Sequence, residues 1–232
     1  LFLDNDLQYS CAFFETPDAS LEEAQVAKKR RLIDKLLLEP GHSALDIGAG
    51  WGGLGLSMVE RGARVTGVTL STEQHRTANE RATALGVTDR ADFRLQDYRD
   101  LNQTFDRIIS VGMFEHVGLR NLPRYFTIAQ RLLVPGGLML NHGITQEEDA
   151  WDGTLSTRFI NRYVFPDGEL SGPGHIMSTM NQAGFEIRHE ENLREHYALT
   201  CAAWSANLVE HWEECVAEVG ESTARIWGLF VA

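Results

Sequence analysis

"LDIGAGWGG", residues 45–53, decides how the rest of the chain is read. A short apolar run stops at a loop in which Gly48, Gly50 and Gly52 alternate with other residues. Such a run predicts a buried strand, and the glycines allow a tight turn and close backbone approach to a ligand. Outward from this loop, short apolar runs alternate with helical patterns. "ARVTGVTL" (63–70), "ADFRLQ" (91–96), "DRIISVGM" (106–113) and "LMLNHGI" (138–144) predict strands, with "PGG" (135–137) as a turn before the last. The segments 20–41, 51–62, 71–86 and 121–133 predict helices. Ser20 with Glu23, and Ser71 with Gln74, have capping-box spacing, and Pro40-Gly41 is a stop signal. Strands alternating with helices predict a doubly wound, mainly parallel α/β sheet. Ligands of such sheets sit at the carboxyl ends of the strands.

Residues 145–174, with "DAWDGT", "RFINRYVFPDGEL" and "SGPGH", predict an insertion that serves as a lid or binding loop. Beyond it a helix to about Ala183, a strand "FEIRHEEN" (185–192), one long helix over 197–220 and a last helix over 221–232 are expected.

The chain has 232 residues, 43% of them hydrophobic, enough for one sizeable core, so a single domain over 1–232 is expected. It starts at Leu1 without Met and stops in an uncapped helical pattern, so truncation at both ends is expected. The net charge of -12 disfavours a nucleic-acid partner. No run reaches the ~18 apolar residues of a membrane span. "KKRR", Lys28–Arg31, is a solvated helix face or a patch for lipid headgroups, which would allow peripheral membrane contact. Cys11, Cys201 and Cys215 have no metal-like spacing and imply no disulfide framework, which fits a cytoplasmic location.

The loop pattern is G-x-G-x-G. A dinucleotide site has G-x-G-x-x-G and an acid at the end of the second strand. Here that position reads "VTLS". Asp46 before the loop and Asp97 after the third strand suit a nucleoside ligand without a pyrophosphate. Gln74 can reach ribose hydroxyls, and Asp97 can accept from an adenine amino group. S-adenosylmethionine fits this description.

"VGMFEHVG" (111–118) then raises a question: a buried strand ends in Glu115 and His116. With "YSCAFF" (9–14), "VTLSTEQ" (68–74), "QDYRDL" (96–101), "LNHGIT" (140–145) and "HYALT" (196–200), the chain resembles the cyclopropane-fatty-acyl-phospholipid synthases and mycolic acid cyclopropane synthases over nearly its whole length. The resemblance implies a Rossmann-like class I S-adenosylmethionine-dependent methyltransferase with a seven-stranded sheet and a helical lid. It implies methylene transfer to the cis double bond of an unsaturated phospholipid acyl chain. Tyr9, Ser10, Gly48, Gly50, Thr69, Leu70, Gln74, Asp97, Tyr98 and Val111 would hold S-adenosylmethionine. Cys11 (chiefly through its backbone), Glu115, His142 and Tyr197 would surround a bicarbonate ion, the base. Glu115 would accept the ion's O–H while His142 and Tyr197 donate to it, and His116 would orient the loop. Trp51, Phe114, Tyr125, Phe159, Tyr163 and Phe165 could line an acyl tunnel or belong to the core.

Taken singly, Glu115 could be a helix-terminus or salt-bridge residue, His142 a satisfied buried residue, and Tyr197 a packing residue. Three functions therefore compete. They are ring formation, methylation of a lipid or small amine without ring closure, and a non-catalytic lipid- or nucleoside-binding domain.

Overall fold

The computed structural model describes residues 1–146, 153–166 and 168–232. Trp151 and Asp167 of the expected insertion lie outside the described residues. The chain divides into two compact units, one formed by 29–149 and 169–189, the other by 1–28, 150–168 and 190–232. The helix Leu21–Lys35 (α1) contributes to both.

In the first unit, the strands Ser43–Ile47 (β1), Arg64–Thr69 (β2), Ala91–Leu95 (β3), Phe105–Val111 (β4) and Leu133–His142 (β5) form one sheet. Their order is β3-β2-β1-β4-β5 and every pairing is parallel. The helices Gly53–Glu60 (α2), Thr72–Ala84 (α3), Leu122–Leu132 (α4) and Pro173–Gln182 (α6) belong to this unit. Successive strand residues face opposite ways. Ala44 therefore joins the core made with α2 and α3, while Leu45 and Ile47 join the core made with α4 and α6. The predicted caps form. Ser20 and Glu23 exchange bonds at 2.9 and 3.2 Å, and Ser71 Oγ accepts from Gln74 N–H at 3.3 Å.

In the second unit the helices Leu155–Tyr163 (α5), Arg194–Glu210 (α7), Trp212–Val219 (α8) and Glu221–Val231 (α9) accompany the N-terminal segment. Ala12, Phe14, Leu21, Ala24, Trp204 and Leu208 are buried together. Ala12 N–H donates to Thr200 Oγ1 at 3.0 Å and Phe14 N–H to His196 Nδ1 at 3.1 Å, which seats the N-terminal segment on α7. Among the described residues no helix is long and apolar enough to cross a membrane.

Five expectations need correction. Among the described residues the sheet has five strands, not seven. Residues 185–192 form no ladder among the described residues, and the chain from 194 onward is spent on helices. "PGG" is not a separate turn but lies within β5. There the register jumps from Phe105↔Leu133 to Arg107↔Leu138, so a bulge absorbs the proline and the glycine at φ +79°. The expected long helix breaks at His211, whose φ and ψ of -101° and 24° leave helical values. Lys28 is not part of a solvated face. It is 1% exposed.

Gly67 of β2 is required by close approach. A Cβ there would lie 2.5 Å from Phe93 Cδ1 and 2.9 Å from Ala49 Cβ. The Phe93 ring also closes on Gly52 and Gly55, so it fills a slot that only glycines leave open behind the β1–α2 loop. Gly67→Ala is expected to cost about 1–3 kcal/mol of stability in urea unfolding, as overpacking does. A change below about 0.5 kcal/mol, the range of ordinary surface substitutions, would contradict this packing.

Candidate active site

The strand order reverses at β1, whose neighbours are β2 and β4. The loop leaving β1 therefore opens into the crevice at the switch point. Gly48 and Ala49 N–H both donate to Val68 O at 3.0 Å, tying the loop to the end of β2. Gly50 has φ +54° and open space where a side chain would be, so a ligand can approach its backbone. Arg81 of α3 donates to Trp51 O at 2.9 Å and fixes the far side of the loop. The sequence reading had no role for Arg81.

At the end of β2, Thr69 Oγ1 accepts Ser71 N–H at 3.2 Å and donates to Gln74 Oε1 at 2.8 Å. That bond takes Gln74 Oε1 and leaves the amide N–H₂ as the side chain's donor, the group a ribose oxygen would need. Leu70 is 73% exposed. After β3, Asp97 caps a short 3₁₀ turn, Tyr98–Asp100, and is gripped by Arg99 at 2.6 Å. The Arg99 side-chain bonds hold its carboxyl below the usual range, so it is an anionic acceptor at neutral pH. Tyr98 stands edge-on to Tyr125, with ring centroids 5.6 Å apart.

The strand ends of β4 and β5 are joined beyond their ladder. Val111 pairs with His142, Gly112 N–H donates to His142 O at 2.9 Å, and Ile144 N–H donates to Glu115 Oε1 at 2.8 Å. Glu115 sits in a 3₁₀ turn, Phe114–His116, and is 7% exposed. Its Oε2 is buried and makes no hydrogen bond among the described residues. Burial pushes the Glu115 carboxyl up, partly opposed by the Ile144 bond and by His116. Gly143 gives the room for this turn, because a Cβ there would run into the Phe114 ring and come within 2.8 Å of Glu115 Oε1. Glu169 N–H donates to Glu115 O at 3.4 Å, and its Oε2 accepts Leu119 N–H at 2.7 Å. His116 is exposed.

The sheet unit thus brings Gly48, Gly50, Thr69, Gln74, Asp97, Val111, Glu115 and His142 to the carboxyl ends of its strands. Tyr9, Ser10, Cys11 and Tyr197 belong to the helical unit. Tyr9 packs among Phe2, Trp204 and Trp227, with centroids 5.3–6.3 Å away. The Cys11 thiol points at backbone carbonyls of Ala12 and Leu193, and burial pushes it up to about 11. It is therefore a protonated thiol at neutral pH and a poor nucleophile. Tyr197 lies in the first turn of α7, edge-on to Trp204. Phe114 and Tyr125 are core residues, while Phe165 meets Phe230 edge-on at 5.4 Å.

All 232 residues match the family model described as mycolic acid cyclopropane synthetase. The chain belongs to that family. It is 47% identical over 231 residues to a probable fatty acid methyltransferase of Mycobacterium tuberculosis, covering 99% of this chain and 54% of the relative. It is 40% identical over 235 residues to the cyclopropane-fatty-acyl-phospholipid synthase of Escherichia coli K12, covering 99% and 58%. The chain thus spans little more than half the length of these curated relatives. Among solved structures, the cyclopropane synthase MmaA2 from Mycobacterium tuberculosis superposes with a TM-score of 0.93 at 32% identity, covering 99% of this chain and 85% of that one. The mycolic acid cyclopropane synthase CmaA1, solved with SAH and CTAB, gives the same values. The fold is that of the S-adenosylmethionine-dependent methyltransferases, as the resemblance implied.

Glu115→Gln keeps an oxygen for Ile144 N–H and removes the buried charge. A carboxyl raised in the folded state binds protons that the unfolded chain has already lost. Its stability contribution therefore falls as pH rises from the unfolded carboxyl range through the folded value. The melting temperature of Glu115→Gln relative to the unmodified protein should rise between pH 5 and pH 8. A difference that stays flat or shrinks would contradict the burial argument.

Proposed function

We propose that the chain is the catalytic domain of an S-adenosylmethionine-dependent lipid-modifying enzyme that adds a methylene across the cis double bond of an unsaturated phospholipid acyl chain. The observation that carries this reading is Glu115: a buried carboxylate at the strand ends with one oxygen held by Ile144 and the other making no hydrogen bond among the described residues. A base placed beside a methylated alkene must be weakly nucleophilic, because a free carboxylate there would itself be alkylated. A small oxyanion, bicarbonate, satisfies this, and Glu115 Oε2 would accept its O–H.

S-adenosylmethionine supplies an electrophilic methyl, and bicarbonate a proton acceptor. The chain's own residues do the rest. The Gly48–Gly52 loop admits the amino-acid end of the cofactor, Gln74 and Asp97 take its ribose and adenine, and Val111 contacts its methionine part. Glu115 and His142 orient the ion from the sheet unit. Cys11, through its backbone, and Tyr197 carry the same assignment in the helical unit, where Tyr9 and Ser10 are assigned to the cofactor. Holding methyl and alkene in near-attack geometry can supply ~7–11 kcal/mol of the barrier. The location that fits is cytoplasmic, with access to lipid at a membrane face.

A second reading is favoured by relatives at 47% and 45% identity, which are named probable fatty acid methyltransferases. The same site would then deliver a methyl without ring closure.

The test is mass spectrometry of cis-unsaturated phospholipid vesicles incubated with the protein and S-adenosylmethionine. A gain of one CH₂ that survives hydrogenation as a ring supports the first reading, and Glu115→Gln should cut it by about 10²-fold or more. A product that hydrogenates to a saturated branched chain supports the second. No gain on any lipid, with the cofactor bound, would overturn both.

A further inference from the structure

The sequence placed Lys28 in a basic patch, yet the lysine is 1% exposed. Helical spacing puts it on the inward stripe with Leu21, Ala24 and Gln25. Its ammonium donates to Gln8 Oε1 at 2.7 Å and to Ser10 Oγ at 2.9 Å. One turn earlier, Gln25 Nε2 donates to the Ser10 carbonyl at 3.0 Å. On the other side of this segment, buried Asp4 accepts Gln8 N–H at 2.7 Å, and the charges of Asp4 and Lys28 attract. Three side chains thus fix a stretch of three residues, Gln8–Ser10, which has no helix or strand of its own.

A buried ammonium is expensive, and surface loops are held more cheaply by neutral groups. The charge has a specific consequence at Ser10. An ammonium only donates, so Ser10 Oγ is the acceptor of that bond and its own hydrogen must point elsewhere. That O–H donates to no described residue. A neighbouring positive charge also makes it a stronger donor.

We infer that Lys28 is a positioning residue for the cofactor: it fixes Tyr9 and Ser10 and commits the Ser10 hydroxyl as a polarised donor to an acceptor group of S-adenosylmethionine. The inference rests on the assignment of Tyr9 and Ser10 to the cofactor in the proposed function. It extends that site to a residue carried on the helix behind it.

The test is calorimetric titration of the full chain with S-adenosylhomocysteine, using Lys28→Met, Ser10→Ala and the double variant. Met keeps the length and apolar stem and needs no buried charge, so the fold should hold, with a melting temperature within a few degrees of the original. Each single variant should bind about tenfold more weakly, the worth of one charge-assisted hydrogen bond. The double variant should bind no more weakly than the worse single one, because Lys28 acts through Ser10. A merely structural lysine would lower the melting temperature and leave its loss independent of Ser10. Binding by Lys28→Met equal to that of the unmodified protein, or losses that multiply in the double variant, would overturn the inference and leave the proposed function standing. If Lys28→Met does not fold, Lys28→Gln keeps a donor without the charge, and an unchanged affinity there also overturns it. No binding by the unmodified chain would overturn the proposed function and this inference with it.

Discussion

The sheet unit's part of the candidate site follows from one constraint, the parallel pairing of β1 with β2 on one side and β4 on the other. Parallel strands all end on the same side, so every loop that leaves them opens there. The β1 loop is then bonded to the end of β2 through Val68 O, and the turn after β4 is bonded to the exit of β5 through Ile144 N–H. The glycine loop is thus fixed by an extension of the sheet's own hydrogen bonding together with the Arg81 side chain, and the buried carboxylate by a backbone N–H at the exit of β5. That rigidity is what a site needs when a methyl donor and an unreactive alkene must be held in register.

Much of this was legible because local rules and the global fold agree. Ser20 with Glu23 and Ser71 with Gln74 cap the helices they announce, and the short apolar run before the glycine loop is a strand buried on both faces. The failures have physical reasons. "LVPGGLML" contains strong turn residues, yet the chain keeps pairing with β4 because a bulge takes up the extra length. "FEIRHEEN" alternates like a strand, but a strand exists only with a partner, which spacing alone does not reveal. His211 interrupts an apolar helical pattern that continues on both sides. Lys28 was misread for its chemistry, not its position: helical periodicity places it inward, and a lysine was assumed to be outside. The Ile144 bond to Glu115 and the Arg81 grip on the loop leave no sequence signal, since one uses a backbone N–H and the other an exposed-looking arginine in "NERATA".

The site combines groups with separated tasks. Asp97 stays ionised beside Arg99, while Glu115 is raised by burial and keeps one oxygen for a small polar partner. In the helical unit Cys11, with its thiol pushed up to about 11, is a poor nucleophile. The family membership and the geometry at Glu115 therefore point the same way, although the chain spans only part of its curated relatives' length.

The central claim is that Glu115 holds a bicarbonate that acts as the base. The most direct measurement is turnover on unsaturated phospholipid in buffer stripped of carbon dioxide, with bicarbonate then added back. The account predicts that the rate falls at least about tenfold on stripping, the lower range of a lost general base, and returns saturably with bicarbonate. A rate indifferent to both steps would contradict it.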